Sequence, residues 1–184
     1  MIRLNKITEN LWHEISLYIS KRNIILGFGI IILFNLVLLP GFPKLFSVNN
    51  IYALDLNFGY SAREAYNLLG KMSAKERTVY LFSEIIIDLP YAFVYSFIYS
   101  VVIAGLFEKS NYVYVKYFLW FPLLIGFFDV LENFFVVLMI ILFSNKILIL
   151  AYLSSLCTTL KWSFAGLTFL IVLLGLINKL LPKK

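Results

Sequence analysis

The chain has 184 residues, 61% of them hydrophobic and 18% aromatic, with a mean hydropathy of +0.88. Soluble domains hold about 45–50% apolar residues, so this composition excludes an ordinary soluble enzyme and describes one integral membrane domain over residues 1–184. The 16 Lys+Arg against 10 Asp+Glu point, in this class, to anionic lipid surfaces and not to nucleic acid, and a lone Cys157 and a lone His13 leave no disulfide, no metal site or other cofactor and no Ser-His-Asp triad.

Residues 1–23 mix polar and apolar side chains. Leu4, Ile7, Leu11, Ile15 and Tyr18 recur at helical spacing, which predicts an amphipathic helix on the membrane surface. Trp12 suits the headgroup level, and Lys21 and Arg22 mark the boundary. A signal peptide fits less well: the polar leader is long, and no small-residue cleavage site follows the apolar run. The first span is read over 24–39, with Asn35 near its exit and Pro40, Gly41 and Pro43 ending it. Gly27 and Gly29 permit close helix contact, although ordinary transmembrane glycines are the plainer reading.

Residues 44–72 are the longest polar stretch. Ser61 and Glu64 form a capping box that opens a short helix, which Gly70 is placed to end; Ser73 and Glu76 form a second box that opens the next one. Two boxes in one loop predict an ordered helical cap over the bundle. Asp55, Arg63 and Arg77 are the loop charges within reach of the membrane mouth. Their plainer reading is as solvated charges, since surface ion pairs contribute little.

The second span is read over 80–107. Glu84, Asp88, Tyr91 and Tyr95 follow a four-three-four spacing and form one stripe. Pro90 removes a backbone donor beside Asp88, predicting a kink and a freed carbonyl near Ile86 that needs a partner. Lys109, Tyr112, Tyr114, Lys116 and Tyr117 then form an interfacial aromatic belt.

The third span, over 118–143, is the most informative. At about 1.5 Å per residue it crosses a bilayer, yet Asp129, Glu132 and Asn133 lie near its centre on one face. A charge there costs at least about 2.5–3.5 kcal/mol, so that face must look into protein or a water-filled cavity. After a turn at Ser144, Asn145 and Lys146, the fourth span is read over 148–180. Ser155, Thr159 and Ser163 form a small-residue strip suited to close packing or to a second copy of the chain. Ser154, Thr158, Lys161 and Thr168 lie on a neighbouring face. Trp162 points about 100° away from Lys161 and is read as core or lipid-facing packing, and Cys157 as a small buried residue.

Charge counting orients the four spans. The N-terminal segment, the 108–117 loop and the basic tail of Lys179, Pro182, Lys183 and Lys184 carry nine Lys+Arg, whereas the 43–79 loop and the short turn carry six. That favours both termini on the cytoplasmic side. The fold class expected is therefore all-α: a bundle of four transmembrane helices with an interfacial N-terminal helix and a helical cap.

Comparison of depths places Asp88, Asp129, Glu132 and Lys161 in the mid-to-outer part of one cavity, with Glu84 toward its outer end. Four carboxyls against one lysine cannot all ionise cheaply. Such a cluster can pass protons, bind the polar end of a lipid-like ligand, or fix helix register as a buried ion-pair network. A Schiff-base lysine with carboxylate counter-ions, as for retinal, is set aside because four spans are too few.

The pieces GYSAREAYNLLG, DVLEN and TTLKW resemble small four-span membrane proteins of unassigned function. FSEIIIDLPY, an acidic and Pro-interrupted second span, is similar to the EXPERA group of sterol isomerase and sigma-2-receptor-like proteins. That resemblance implies four core spans and an acidic intramembrane pocket open to lipid. The isomerases use an intramembrane histidine, and the spans here hold none, so it implies lipid-ligand binding and not isomerase chemistry. The leading expectation is a protein that binds or moves a small amphipathic molecule, with a possible proton link. Asp88, Asp129, Glu132 and Asn133 supply acceptors, Lys161 the countercharge, and Tyr91 and Tyr95 donors. The alternatives are an enzyme of lipid metabolism using a carboxyl as acid or base, and a non-catalytic assembly subunit.

Overall fold

The computed structural model describes residues 2–48, 53–110 and 112–180, and among them all regular structure is helical. Four helices are long and apolar enough to cross a membrane: Lys21–Leu45, Ala74–Phe107, Tyr114–Ile141 and Leu148–Leu180. The chain is a multi-pass integral membrane protein. We label the helices α1 (Ile2–Ser16), α2 (Lys21–Leu45), α3 (Ala62–Lys71), α4 (Ala74–Phe107), α5 (Trp120–Ile141) and α6 (Leu148–Leu180).

Helix α1 lies across one end of the bundle, with one face turned to it. Its buried Thr8 and Ile15, with half-buried Leu11 and Trp12, face the protein and not the lipid. Ile15, Leu11 and Trp12 join a cluster with Val101, Ala104, Leu119 and Ile171. Glu9 pairs with Lys116, Asn5 accepts from the Tyr117 hydroxyl, and Trp120 donates to Thr8 at 3.1 Å. The side chain of Leu4, like the tail residues Pro182, Lys183 and Lys184, lies outside the described residues.

Helix α2 starts on Ser20, whose hydroxyl accepts from the Asn23 amide at 3.1 Å. It does not stop at Pro40, as its sequence predicts, but continues to Leu45. Residues Phe34–Leu38 widen into a π turn, in which the Leu39 amide reaches back to the Phe34 carbonyl. The extra residue absorbs the register shift that the donorless Pro40 imposes. Helix α4 solves the same problem identically. Glu84–Asp88 form a π turn, the Leu89 amide bonds the Glu84 carbonyl, and Pro90 follows. Both interruptions have the form of a five-residue turn followed by Leu-Pro.

The two capping boxes are present in full, at Ser61–Glu64 and Ser73–Glu76. The second starts α4 at Ala74, six residues before the limit read from hydropathy, because the cap continues directly into the span. Gly70 does not end α3; it lies in the last turn, and the chain leaves helical geometry at Met72. Lys146, in the left-handed region at φ 45°, makes the tight turn between α5 and α6.

Helices α5 and α6 pack along their length, α4 packs on both, and α2 leans on α4. Close approach of α4 to α5 requires Gly126: a Cβ there would lie 2.0 Å from Ser96 Oγ and 3.0 Å from the Ala92 carbonyl. Gly27 likewise seats Ile98, whereas Gly29 faces open space. One apolar cluster lies under the cap, around Tyr66, Leu69, Tyr80, Val136 and Met139, and another lies under α1. The layer between them holds the buried polar residues beside a third apolar cluster around Ile31, Ala92, Ile98 and Ile125.

Candidate functional site

In that layer Asp88, Asp129, Glu132, Asn133, Thr158 and Lys161 are all at least nine-tenths buried. Helix α5 presents Asp129, Glu132 and Asn133 from adjacent turns, and α6 sets Lys161 opposite. Lys161 Nζ lies 2.8 Å from Asp129 Oδ1 and 2.7 Å from Glu132 Oε2. The second oxygen of each carboxylate is also engaged: the Tyr95 hydroxyl donates to Asp129 Oδ2 at 2.6 Å, and Glu132 Oε1 lies 2.6 Å from the Thr158 hydroxyl. Asp88, on the π turn of α4, accepts from the Asn133 amide at 2.7 Å. The structure thus brings together seven of the eight residues expected from sequence as two linked groups. Lys161–Asp129–Glu132–Tyr95 is one and Asp88–Asn133 the other, with Tyr91 attached at the edge, where it accepts from Asn35 and its ring lies 5.1 Å from that of Tyr95. Glu84 is buried one turn before Asp88 and makes no hydrogen bond or ion pair among the described residues.

Sequence reasoning left Asp55 outside this set. The loop folds inward, and Asp55 Oδ2 comes within 3.8 Å of Lys161 Nζ. Five bonds hold the loop there, one of them between the Tyr60 and Ser154 hydroxyls at 2.7 Å. Leu54 N–H donates to the Tyr80 hydroxyl, Trp162 Nε1–H to the Asp55 carbonyl and Tyr60 N–H to Ser155 Oγ, each at 2.9 Å, and Thr159 reaches the Phe58 carbonyl at 3.1 Å. Gly59 is required, since a Cβ would meet Thr159 Oγ1 at 2.9 Å. Trp162 is therefore a loop clamp, with Lys161 Nζ 5.9 Å from its ring centroid. The Ser155–Thr159–Ser163 strip is covered in part by the chain's own loop, leaving Ser163 exposed. Arg77 does not approach the membrane mouth; it caps α3 through the Leu69 carbonyl at 3.1 Å and lies over Phe143. No periodicity signals Asp55 or the clamp, because an inward-folded loop has none.

Burial pushes the Asp55 carboxyl above its ordinary range, and nearby Lys161 offsets this only in part. Two adjoining cavities share Asn35, Leu39, Asp55, Leu56 and Asp88 in their walls. The outer one, of about 380 Å³, reaches Tyr80, Ser83 and Glu84. The inner one, of about 260 Å³, is walled by Tyr91, Tyr95, Tyr99 and Trp162 and floored by Asp129 and Lys161. Among the described residues, no three His, Cys, Asp or Glu side chains converge to hold a metal ion. No family model, curated protein or solved structure matches the chain.

Proposed function

We propose that this protein binds a small amphipathic, lipid-like molecule in the paired cavities and exchanges it with the bilayer, with both termini on the cytoplasmic side. The observation that carries the reading is the inner cavity itself. Aromatic rings wall it and carboxyl and ammonium groups lie at its base, the combination of apolar body and few convergent polar groups typical of ligand sites. Buried ionisable groups in spans mark functional sites by default. The carboxyls that Lys161 does not neutralise suit proton-linked binding.

Mass spectrometry of the purified protein tests this. An amphipathic molecule is expected to co-purify with the natural chain, and Ala165→Trp, which fills the inner cavity, is expected to deplete it. Equal lipid profiles for the two proteins would defeat the proposal. Conversion of the bound molecule on incubation would instead place a cavity carboxyl in the role of acid or base.

A further inference from the structure

The three tyrosines on the α4 wall of the inner cavity differ in what they bond. Tyr95 donates to Asp129, and Tyr91 is engaged by Asn35. Tyr99, half-buried one turn nearer the α1 end, lines the same cavity and makes no hydrogen bond among the described residues. Its hydroxyl is not sealed in by neighbouring atoms, unlike Asp55 Oδ1 or Asn133 Oδ1. It is an accessible donor with its proton unspent.

The surroundings of that hydroxyl are apolar. Ile125 lies one turn of α5 before Asp129, and Ala165 one turn of α6 beyond Lys161. Both line the cavity and pack in one cluster with Tyr99. The pair on the cavity floor is already engaged: Lys161 is held by Asp129 and Glu132, and both Asp129 oxygens are bonded. Asp88 stands eleven residues earlier on α4, about 16 Å away along a helix. This end of the cavity therefore presents one donor in hydrocarbon, whatever the protonation of the carboxyls further out.

That setting selects the head of a ligand. A carboxylate would be left desolvated with a single hydrogen bond and no free cation to meet it. An ammonium brings three protons to one phenol oxygen, and a hydroxyl leaves one proton over whichever way the bond runs. A carbonyl accepts the Tyr99 proton and brings none of its own. An exit for the ligand's body lies to the side. Helix α2 packs on α4 and not along α6. Between them Leu39, half-buried, and Trp162, 42% exposed, border the cavity. We propose that the inner cavity is a binding site for a neutral carbonyl-bearing lipid, its carbonyl on the Tyr99 hydroxyl between Ile125 and Ala165, and its chain leaving along the tyrosine rings between α2 and α6. This deepens, and rests on, the ligand-binding reading above.

Methyl decyl ketone, isotope-labelled at its carbonyl carbon, dodecane, dodecylamine and dodecanoate are the probes. They are measured on the protein in nanodiscs of an ether-linked phosphatidylcholine, which has no ester carbonyl to compete, above empty discs. The ketone is expected to bind at least about threefold tighter than each of the others, the gain of one hydrogen bond. With the natural chain the labelled carbonyl's infrared stretch should lie below its value in hydrocarbon. Tyr99→Phe keeps the ring and removes a hydroxyl that bonds nothing in the protein, so it should fold unchanged. It should weaken the ketone about three- to tenfold, leave dodecane unchanged, and return the stretch to its hydrocarbon value. Ketone binding or a carbonyl stretch untouched by Tyr99→Phe overturns the assignment, as does equal or tighter binding of the alkane, amine or carboxylate, and each of these leaves the cavity reading standing. Binding of none of the four also overturns it, and the lipid profile of Ala165→Trp then decides separately whether the cavity reading falls as well.

Discussion

Lys161 is 6% exposed and has two carboxylates within hydrogen-bonding distance. Such a group is stable in a membrane interior only while its partners are present, because desolvation of a lone charge outweighs anything the surrounding packing returns. Lys161→Met should destabilise the detergent-solubilised protein by about 3–5 kcal/mol, since it leaves Asp129 and Glu132 buried without a countercharge. Adding Asp129→Asn should recover part of that loss, giving a coupling energy well above the ~0.5 kcal/mol seen for independent sites. A double-mutant cycle read by thermal or denaturant unfolding measures it. Additive effects would show that the two residues act separately, against their 2.8 Å geometry. The same network explains why depth and helical face sufficed to find its members in the sequence. Asp129, Glu132 and Lys161 are each too costly to place in a span alone, so each predicts the others.

At the scale of elements, the prolines and the inward loop shape the site. Pro90 follows a π turn that carries Glu84 at one end and Asp88 at the other. Both carboxyls line the outer cavity, and Asp88 also lines the inner one. Pro90→Ala restores a donor and removes the steric reason for the π turn. The protein should stay folded, with equal or higher thermal stability, while the lipid bound at purification falls. Unchanged occupancy would make the π turn incidental to binding. The loop carries a pH dependence of definite sign. Burial raises the Asp55 carboxyl above its ordinary value of 3.8, so the folded protein holds that proton more tightly than the unfolded chain. The stabilisation is complete below the ordinary value and is lost as pH rises through the folded one. Hydrogen exchange at Leu54 and Tyr60, whose amides bond Tyr80 and Ser155, should show protection decreasing with pH in that window after correction for intrinsic rates. Asp55→Asn should flatten it, and an equal slope in the variant would exclude Asp55 as its source. Capping boxes and hydropathy made the helices legible in the sequence, because both are local. The continuation of α2 past Pro40 was not, because a π turn leaves no composition signal. Nor were the loop contacts, which join residues 26 positions apart for Leu54 and Tyr80 and 94 to 107 apart for the four made with α6.

The whole molecule is a bundle with apolar clusters at both ends and, beside a third apolar cluster, a buried charged group at its middle, an inversion of the usual soluble core. That inversion makes orientation matter. The loop side carries Asp55, the mouth of the outer cavity and the cap, while the other side is closed by α1 packed across α4 and α6. The count from the sequence, nine Lys+Arg in the segments of the α1 side against six in those of the cap side, predicts by the positive-inside tendency that the cap lies outside. The structure indicates where to test it. Ser61 caps α3, so a cysteine there would disturb the helix it reports on. Asn67 and Glu108 are exposed, lie on opposite sides of the bundle, and leave the Lys+Arg count intact when replaced. The natural Cys157 is buried and so is a quiet background. In intact cells Asn67→Cys should react with an impermeant maleimide, and Glu108→Cys only after the membrane is permeabilised. The reverse pattern would turn the molecule over and put the cavity mouth in the cytoplasm. Equal labelling of both sites in intact cells would mean that the chain inserts in two orientations, and the charge difference would then be too small to fix one.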